Sequence, residues 1–466
     1  MITELFKSYL QLSSSNIISD EVESIRYKDI PDLFSIIDRS YDVGKLNGCM
    51  ALMGSNKISF TVFLLYLLAN EKSFYVSSSY SVNGQIPSFC SHTITIPEKN
   101  HHVASKNHHE VIIEPSSDLK LRELSAGKPR SVYFATSGST GDKKIIRYTH
   151  DKLLQNAAGC IDRFELSSKC RVLICVPAFH MYGLGAGLLP SLIANAIIKI
   201  VDGGNILKIY EQIRKFNPDL LYITPTQAKM LIRLGKDLGK RRFICAGEKI
   251  SPQDYIQFEE RYGLLINLYG SSELGAVATT MPAHTLELRS EGVFVPLKGV
   301  EISFSGGGNQ GEIRCSHPSG FEEYVDQTGE SIPTLAIGKM YSTKDLGSRM
   351  GADRFKVIGR TDNILNRSGF LISIEELEIS IKNHCKDVAE VIVFEREDEQ
   401  KIRNELIAVY TKVNDHQEIE LSILQACTRN LPTYCRPDRL INLNNLPLTA
   451  TGKPDRMKIK KIARQL

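Results

Sequence analysis

Residues 133–144 read Tyr133-Phe134-Ala135-Thr136-Ser137-Gly138-Ser139-Thr140-Gly141-Asp142-Lys143-Lys144. An apolar, strand-like run from Ser131 to Ala135 leads into small and hydroxylated residues, and two lysines follow. Glycines let a backbone approach a phosphate closely, hydroxyl and N–H groups donate hydrogen bonds to it, and lysine adds positive charge. The segment is therefore a candidate polyphosphate-binding loop. Clusters of Ser, Gly and Thr also form ordinary surface turns, so other segments have to decide between the two interpretations.

Two other nucleotide-binding motifs are excluded by their residues or their context. A Walker loop that starts at Gly138 needs glycine where Lys143 stands and Ser or Thr where Ile145 stands. A literal G-x-G-x-x-G occurs at 306–311, between the strand-like runs Val300 to Phe304 and Glu312 to Cys315. A dinucleotide-binding motif opens a helix after a strand, so this glycine-rich segment predicts a hairpin instead.

Composition limits the class of protein. The 466 residues carry a formal charge of +4, which gives no reason to expect a nucleic-acid partner. The 10 cysteines show no paired C-x-x-C spacing, so neither a disulfide framework nor a zinc site is expected, and thiols in a reducing cytoplasm fit better. The start, Met1-Ile2-Thr3-Glu4, lacks the basic and apolar regions of a signal peptide.

No membrane span and no metal cluster are expected. The apolar run Phe60 to Ala69 is shorter than the ~20 residues that a spanning helix needs. The run Met181 to Val201 is interrupted by glycines and Pro190, and it predicts a buried helix that leads into a buried strand. The histidines at 101–102 and 108–109 lie in a polar stretch that favours a solvated loop over a metal site.

The order of elements predicts an α/β fold with two domains. Up to about residue 360, helical and strand-like pieces alternate, as in a domain of packed, partly parallel sheets. Beyond it, Ser373-Ile374-Glu375-Glu376 is a capping-box sequence that starts a helix, and strands, a second helix and a basic tail follow. We predict a large N-terminal domain over 1–361 and a small α+β C-terminal domain over 362–466.

Further distinctive segments follow the loop in a fixed order. They are Pro177-Ala178-Phe179-His180-Met181-Tyr182-Gly183, Ala246-Gly247-Glu248-Lys249, Leu268-Tyr269-Gly270-Ser271-Ser272-Glu273, Tyr341-Ser342-Thr343-Lys344-Asp345, Gly359-Arg360-Thr361-Asp362 with Gly369 beyond it, and Pro447-Leu448-Thr449-Ala450-Thr451-Gly452-Lys453-Pro454-Asp455-Arg456. Together they make the chain resemble the adenylate-forming superfamily of acyl- and aryl-CoA synthetases, peptide-synthetase adenylation domains and firefly luciferases. The resemblance covers about residues 45 to 460.

The resemblance implies an ATP-dependent acid–thiol ligase. In that family a carboxylic acid first attacks the α-phosphate of ATP, which yields an acyl-adenylate and pyrophosphate. A thiol then displaces AMP, and it belongs to coenzyme A or to the phosphopantetheine of a carrier protein. The site has to neutralise charge rather than supply a nucleophile. Because no carrier-attachment motif is evident, we expect any acyl carrier protein to act in trans.

The resemblance also implies which residues bind ATP and Mg²⁺. The loop residues Thr136, Ser137, Gly138, Ser139, Thr140 and Gly141 would hold the β- and γ-phosphates together with Lys144. Glu273 would bind Mg²⁺, a hard cation that suits carboxylate and phosphate oxygens. The remaining nucleotide contacts would be Gly247, Glu248 and Tyr269 at the adenine, Gly270, Ser271 and Ser272 at the α-phosphate, and Asp345 and Arg360 at the ribose.

Four residues complete the expected machinery. Lys453 would be catalytic, because a lysine on a flexible stem can bridge the substrate carboxylate and the ATP oxygens. Its alternative is a solvated lysine in a basic tail. Asp362 would be the hinge on which a mobile small domain turns, and Gly369 would approach the pantetheine arm. His180 would face the carboxylate of the acid, and its alternative is a packed core histidine.

The departures from the family pattern leave an active enzyme as the prediction. Lys143 stands where the family usually has proline, and Ile145 where it often has glycine or alanine. Lys344 stands where glycine is usual, and Asn363 replaces the second aspartate of the hinge motif. None of these changes removes a group that the reaction needs. A non-catalytic adenylate- or acyl-binding scaffold with the same fold is the alternative, and an oxygenase like luciferase is a remote one. His180 stands where amino-acid-activating members have aspartate, so an α-amino acid is disfavoured. The segment from Phe179 to Tyr182, together with the glycines Gly183, Gly185 and Gly187, suggests a pocket with an aromatic wall and room for an apolar body. Aryl and fatty acids both stay open.

Overall fold

The computed structural model describes residues 15–78, 86–96, 111–115, 127–135, 144–332, 340–361, 364–367, 370–396, 405–414, 419–448 and 454–465. The chain divides into two compact units. The first comprises Met1–Ile302, Cys315–Tyr341 and Met350–Lys356, and the second comprises Ser303–Arg314, Ser342–Arg349 and Val357–Leu466. The domain boundary between residues 361 and 362 stays a prediction.

The first unit contains a largely parallel sheet. Its parallel strands are, in spatial order, Leu265–Ser271, Arg242–Cys245, Leu220–Ile223, Arg171–Ile174, Ile197–Ile200 and Ile17–Ser19. Ser24–Arg26 pairs antiparallel with Ile17–Ser19, and Gly275–Thr279 and Val293–Pro296 add antiparallel strands beyond Leu265–Ser271. Strands buried on both faces read as continuous apolar runs, which is why the sequence predicted several of them.

Helices cover this sheet and bury its side chains. Leu221 and Ile223, which point to one face, share a core cluster with residues of the helices Ile206–Phe216, Pro225–Leu234 and Pro252–Tyr262. The predicted buried helix within Met181 to Val201 is confirmed. It is a π-helix, Tyr182–Leu188, followed by the α-helix Leu189–Ile193 and the strand Ile197–Ile200. The helix His150–Phe164 begins where the Thr149 side chain accepts a hydrogen bond from the Lys152 N–H.

A second, mixed sheet carries the candidate phosphate loop. Its strands are, in spatial order, Ser331–Ile332, Glu323–Val325, Ile145–Thr149, Ser131–Ala135, Ser73–Ser78, Cys49–Gly54, Cys90–Thr95 and Ile112–Pro115. The chain leaves Ser131–Ala135 and returns antiparallel to it as Ile145–Thr149. The helix Ile58–Ala69 is buried at every residue. Just before it, Asn56 donates hydrogen bonds of 2.9 Å to the carbonyl oxygens of Val176 and Val201.

The second unit contains a compact α+β module. Val388–Arg396 and Glu405–Lys412 are antiparallel, and Arg439–Asn442 runs parallel to the latter. Helices Ile374–His384 and Glu420–Asn430 share one core cluster with this sheet, and helix Arg456–Ala463 shares a different one. The sequence predicted the first two of these strands and the first two helices, whereas it did not predict the strand Arg439–Asn442 and showed only a basic tail where the helix Arg456–Ala463 lies. A hairpin, Ile364–Arg367 with Phe370–Ser373, precedes the first helix.

The structure also describes two further helices and four further strands. They are the helices Ile30–Tyr41 and Leu286–Ser290 and the strands Glu301–Phe304, Gln310–Ser316, Tyr341–Arg349 and Phe355–Arg360. Within the described ranges, every helix is too short or too polar to cross a membrane. All ten cysteines are free thiols, and all but Cys435 are buried. The predicted α/β fold class, with mixed sheets in the large domain and a small α+β domain, is confirmed.

Candidate active site

The carboxyl edge of the parallel sheet gathers three of the assigned segments. His180 follows the strand Arg171–Ile174, and Glu248 follows the strand Arg242–Cys245. The strand Leu265–Ser271 ends in three residues that the sequence assigned to the nucleotide. Ligands of open α/β sheets bind outside the carboxyl ends of the strands. The fold of the first unit therefore places these segments where such sheets bind ligands.

Lys144 is the described end of the candidate phosphate loop. The strand Ser131–Ala135 before the loop is confirmed and almost wholly buried, whereas residues 136–141 lie outside the described ranges. Lys144 is exposed and directly precedes the strand Ile145–Thr149. Its Nζ lies 5.2 Å from the centroid of the Tyr324 ring. An ammonium this close to an aromatic ring is attracted by the negative face of the ring.

The turn that carries Glu273 is held by a buried tyrosine. The Tyr148 hydroxyl lies 2.6 Å from the carbonyl oxygen of Glu273 and 2.9 Å from that of Ser272. Burial raises the pKa of Tyr148, so its hydroxyl keeps the proton that it donates to these oxygens. The backbone of two residues assigned to the α-phosphate and the metal is thereby fixed from the protein interior.

A buried asparagine fixes the same turn from its other side. Asn156 donates through Nδ2 to the carbonyl oxygen of Leu274 at 3.2 Å, and its Oδ1 accepts from the Ala276 N–H at 3.2 Å. Gly275 has a φ of +69°, and a Cβ there would lie 2.5 Å from Asn156 Nδ2. Only glycine can therefore hold this position while Asn156 keeps its two hydrogen bonds.

The Glu273 side chain belongs to a short chain of hydroxyl groups. The Tyr324 hydroxyl donates to Glu273 Oε1 at 2.9 Å, and the Tyr341 hydroxyl lies 2.7 Å from that of Tyr324. The Phe321 ring packs edge-on against both tyrosines, with centroid distances of 4.9 Å to Tyr324 and 5.3 Å to Tyr341. Burial, together with the negative charge of Glu273, raises the pKa of Tyr324.

Glu273 suits a magnesium ion that arrives with a nucleotide. Mg²⁺ is usually held by one or two carboxylates together with substrate phosphates and water, rather than by an all-protein cage. The described part of the chain contains no group of three or more His, Cys, Asp or Glu residues that could hold a metal ion. A carboxylate has about four acceptor positions, so the hydrogen bond from Tyr324 leaves Glu273 able to bind a cation.

The residues assigned to adenine include an open backbone position, Gly247, and an aromatic ring, that of Tyr269, which packs against two other rings. Gly247 has a φ of +102°, and a Cβ placed there would have no neighbour within 4 Å. The Thr226 hydroxyl donates to Glu248 Oε2 at 3.2 Å, which links two adjacent strand ends. The half-buried ring of Tyr269 has centroid distances of 5.8 Å to both Phe294 and Phe355. The open space at Gly247 and the aromatic ring at Tyr269 are compatible with a planar base.

His180 combines solvent exposure with a lowered pKa. Its side chain is exposed to solvent, yet the surrounding protein desolvates the ring and lowers its pKa. The ring centroid lies 4.6 Å from that of Phe179, so the two rings form one aromatic wall. The neutral imidazole that a lowered pKa favours can donate one hydrogen bond and accept another.

The glycines of the π-helix are explained by packing rather than by an open pocket. A Cβ on Gly183 would lie 2.1 Å from the Pro177 carbonyl oxygen, and one on Gly185 would lie 2.7 Å from Met181 Cε. The sequence interpretation that these glycines leave room for the acid therefore needs a correction, because protein atoms fill the space beside both. A π-helix of seven residues is rare and is frequently found at functional sites.

In the second unit, Asp345 and Arg360 form the pair that the sequence assigned to ribose. Arg360 Nη1 lies 3.8 Å from Asp345 Oδ1 and donates to the Thr343 carbonyl oxygen at 3.5 Å. The Asp345 N–H donates to the Thr343 hydroxyl at 3.1 Å, which fixes the backbone that carries the carboxylate. The carboxylate is half-buried and the guanidinium is partly exposed. Together they present an acceptor and a donor side by side.

The sequence immediately around Lys453 is anchored, although Lys453, Asp362 and Gly369 lie outside the described residues. Leu448 and Pro454 form an isolated β-bridge. The Asp455 N–H donates to the Pro447 carbonyl oxygen at 2.8 Å. The residues on either side of 449–453 are therefore joined by hydrogen bonds.

Arg456 extends this anchor into the core of the second unit. Its Nη2 lies 2.5 Å from Glu378 Oε2, and its Nη1 donates to the Val393 carbonyl oxygen at 3.4 Å. The other carboxylate oxygen of Glu378 accepts from the Val393 N–H at 2.6 Å. Asp455 caps the helix Arg456–Ala463 by accepting a hydrogen bond from the Lys458 N–H.

Tyr148, Asn156 and Tyr324 are functional candidates that sequence reasoning missed. Tyr324 contacts Glu273 across 51 residues of sequence, and Tyr148 contacts the same residue across 125. No local pattern marks such contacts, since they arise from the pairing of the strand Glu323–Val325 with the strand Ile145–Thr149. Strand register depends on the whole sheet, and a motif within one segment does not show it.

Two family models and several curated proteins match the chain. The family model for AMP-binding enzyme matches residues 91–325, about half of the chain, and the model for AMP-binding enzyme C-terminal domain matches residues 376–453. Indoleacetate–CoA ligase from Aromatoleum aromaticum is 28% identical over 358 residues, which are 74% of this chain and 70% of that protein. Tyrocidine synthase 3 from Brevibacillus parabrevis is 27% identical over 369 residues, which are 74% of this chain and only 6% of that protein.

A solved structure shares the fold over the whole chain. ATP-bound MatB from Rhodopseudomonas palustris superposes with a TM-score of 0.79 at 16% identity, covering 100% of this chain and 99% of that one. At this level of identity the match supports the fold and does not transfer a substrate.

Proposed function

Because the chain belongs to the AMP-binding enzyme family, we propose that it is an ATP-dependent, AMP-forming acid–thiol ligase. In the first step a carboxylate oxygen attacks the α-phosphorus of ATP, the bond to the leaving pyrophosphate breaks, and an acyl-adenylate forms. In the second step a thiol loses its proton, its sulfur attacks the acyl carbon, and AMP leaves. The thiol belongs to coenzyme A or to a carrier protein, the two acceptors that the superfamily resemblance implies, and the relatives include a CoA ligase and a far longer tyrocidine synthase.

One observation carries the proposal: the first unit holds an ammonium and a carboxylate around one tyrosine. Lys144 lies over the ring of Tyr324, and Glu273 accepts a hydrogen bond from its hydroxyl. A bound triphosphate needs a cation for its terminal phosphates and an anion for its metal. The catalytic interpretation is favoured over a binding scaffold, because the matched relatives are a CoA ligase and a tyrocidine synthase.

The roles of the remaining residues follow from the same chemistry. Mg²⁺, held by Glu273, would neutralise triphosphate charge and draw electron density from the phosphorus. The loop 136–141 and Lys144 hold the β- and γ-phosphates, and Ser272 donates to the α-phosphate with Gly270 and Ser271 beside it. Gly247, Glu248 and Tyr269 form the adenine slot, and Asp345 and Arg360 bind the ribose hydroxyl groups.

The acid and the second unit complete the proposal. The aromatic wall of Phe179 and His180 supports an aryl or acyl carboxylic acid, with His180 facing its carboxylate. Lys453 bridges carboxylate and ATP during adenylation, residues from 362 onward form a mobile lid that turns at Asp362, and Gly369 adjoins the pantetheine arm. We place the enzyme in the cytoplasm, where its ten thiols stay reduced.

Pyrophosphate release with a panel of aryl, short-chain and long-chain acids tests the proposal. We expect release with at least one acid, dependent on Mg²⁺ and followed by thioester formation with coenzyme A or a carrier protein. Measurable ATP binding without pyrophosphate release from any acid would instead indicate the scaffold.

Changing Lys453 to alanine separates the two steps. We expect Lys453→Ala to slow adenylation by orders of magnitude, because the reacting oxygens lose their neutralising ammonium, and to spare thioester formation from preformed acyl-adenylate. The two rates are measured by pyrophosphate exchange and by thioester yield. Lys461→Ala, an exposed lysine in the same tail, is the matched control and should change neither rate. Equal loss of both steps in Lys453→Ala would contradict its assigned role.

A further inference from the structure

Tyr324 touches two groups of opposite charge with two different parts of its side chain. Its ring lies under the Lys144 ammonium at 5.2 Å, and its hydroxyl lies 2.9 Å from Glu273 Oε1. Those are the groups that the proposed function assigns to the terminal phosphates and the metal. Tyr324 lies outside the sequence motifs described above, and the proposed function gives it no role.

Each tyrosine hydroxyl has a single proton, and this determines which group donates in each hydrogen bond of the chain from Tyr341 through Tyr324 to Glu273. A carboxylate only accepts hydrogen bonds, so the single proton of the Tyr324 hydroxyl is directed to Glu273. The Tyr341 hydroxyl, 2.7 Å away, must then donate to the Tyr324 oxygen. In such a chain each hydrogen bond polarises the next, so the donor to Glu273 is strengthened.

The backbone and ring of Tyr324 are fixed independently of its polar contacts. Tyr324 pairs with Ile146 across two antiparallel strands, which places it beside the strand that begins after Lys144. Phe321 packs edge-on against the Tyr324 ring at 4.9 Å, and its N–H donates to the Glu273 carbonyl oxygen at 2.7 Å. The Tyr324 side chain is thus held in place between the charged side chains of Lys144 and Glu273.

We propose that Tyr324 is a positioning residue that presets the metal-binding carboxylate of Glu273 through its hydroxyl and the phosphate-binding ammonium of Lys144 through its ring. The inference rests on the proposed function. The effect on Glu273 acts through the Tyr324 hydroxyl, and the effect on Lys144 acts through the Tyr324 ring. Different substitutions at Tyr324 can therefore separate the two effects. Groups that orient a metal-binding side chain typically contribute about tenfold to hundredfold in metal affinity or activity.

Equilibrium binding of ATP, measured calorimetrically without any acid and over a series of Mg²⁺ concentrations, tests both halves. Tyr324→Phe keeps the ring and removes the hydroxyl. We expect it to raise the Mg²⁺ concentration for half-maximal ATP binding by about tenfold or more and to leave Mg²⁺-free ATP binding unchanged. Tyr324→Leu also removes the ring, and it should weaken Mg²⁺-free binding as well.

The controls separate positioning from folding. Tyr262→Phe removes another buried tyrosine hydroxyl, which donates to the Leu231 carbonyl oxygen at 2.8 Å, and it should leave the Mg²⁺ dependence unchanged. If Tyr324→Phe does not fold, Tyr341→Phe weakens the same chain from its far end and should raise the Mg²⁺ requirement by a smaller factor. An unchanged Mg²⁺ requirement in the folded variant would overturn the inference. So would equal weakening with and without Mg²⁺. Failure of the wild-type protein to bind ATP would instead refute the proposed function.

Discussion

Lys344 adopts a backbone conformation that side chains other than glycine rarely take. Its φ is +58°, in the left-handed region, although it lies within the strand Tyr341–Arg349. The Thr361 hydroxyl donates to its carbonyl oxygen at 3.0 Å and helps to hold the kink. The kink comes directly before Asp345, the carboxylate assigned to ribose. The structure thus explains why glycine is the usual residue at this position in the superfamily that the sequence resembles.

Lys344→Gly should therefore be tolerated or mildly stabilising. Relief of left-handed strain is worth roughly 1–2 kcal/mol, and the greater chain entropy of glycine offsets about 0.5–1 kcal/mol of it. Lys344→Val should destabilise the protein, because a β-branched side chain is least compatible with a positive φ. The free energy of unfolding in urea measures both changes. A glycine variant that is less stable than the valine variant would refute this account of the kink.

The sequence could predict candidate site residues but not the groups that hold them in place. The resemblance to the adenylate-forming superfamily led to Lys144, Glu273 and Asp345, because each lies in a local segment that carries the resemblance. Tyr148 and Tyr324 carry no such mark, since their contacts are set by strand pairing between distant segments. Gly183 was interpreted as leaving room for a ligand, because a sequence does not show that the carbonyl oxygen of Pro177 lies against it.

At the scale of elements, an ion pair between Arg456 and Glu378 joins the helix Arg456–Ala463 to the helix Ile374–His384. Glu378 is buried, and Arg456 provides its charged partner. The motif that begins at Pro447 thus contains both the proposed catalytic lysine and an arginine that anchors it, three residues apart. The sequence predicted the helix Ile374–His384, because its capping-box residues are a local signal, but it showed only a basic tail where the helix Arg456–Ala463 lies.

Arg456→Ala should impair adenylation through its effect on this anchor. Removal of a charged hydrogen-bonding partner leaves the Glu378 carboxylate buried, and we expect a loss of about 2 kcal/mol in the free energy of unfolding. Pyrophosphate exchange should fall while thioester formation from acyl-adenylate is retained, as for Lys453→Ala. Arg396→Ala, which breaks the ion pair with Glu405 in the same unit, is the matched control. If both variants lose stability and neither changes pyrophosphate exchange, Arg456 serves stability alone.

At the scale of the whole molecule, the proposed reaction has two steps that need different groups at the acyl carbon. In our proposal, Lys453 serves the adenylation step, and the segment around Gly369 serves the thiol. Both belong to the second of the two compact units. One unit can serve two steps in turn if the chain that joins it to the first can change its backbone angles. Asp362, at the predicted start of the small domain, is the residue to which we assign that change.

Asp362→Pro should uncouple the two steps. Proline fixes φ near −65° and removes the N–H, so it restricts the backbone rotation that a hinge needs. We expect one half-reaction to continue at nearly its normal rate while overall thioester turnover falls by more than tenfold. Pyrophosphate exchange and single-turnover thioester formation measure the two steps separately. Asp362→Ala removes the carboxylate but leaves the backbone free to rotate, so it should retain most of the turnover. If the proline variant turned over normally, residue 362 would not be the hinge, and loss in the alanine variant alone would assign the carboxylate a role of its own.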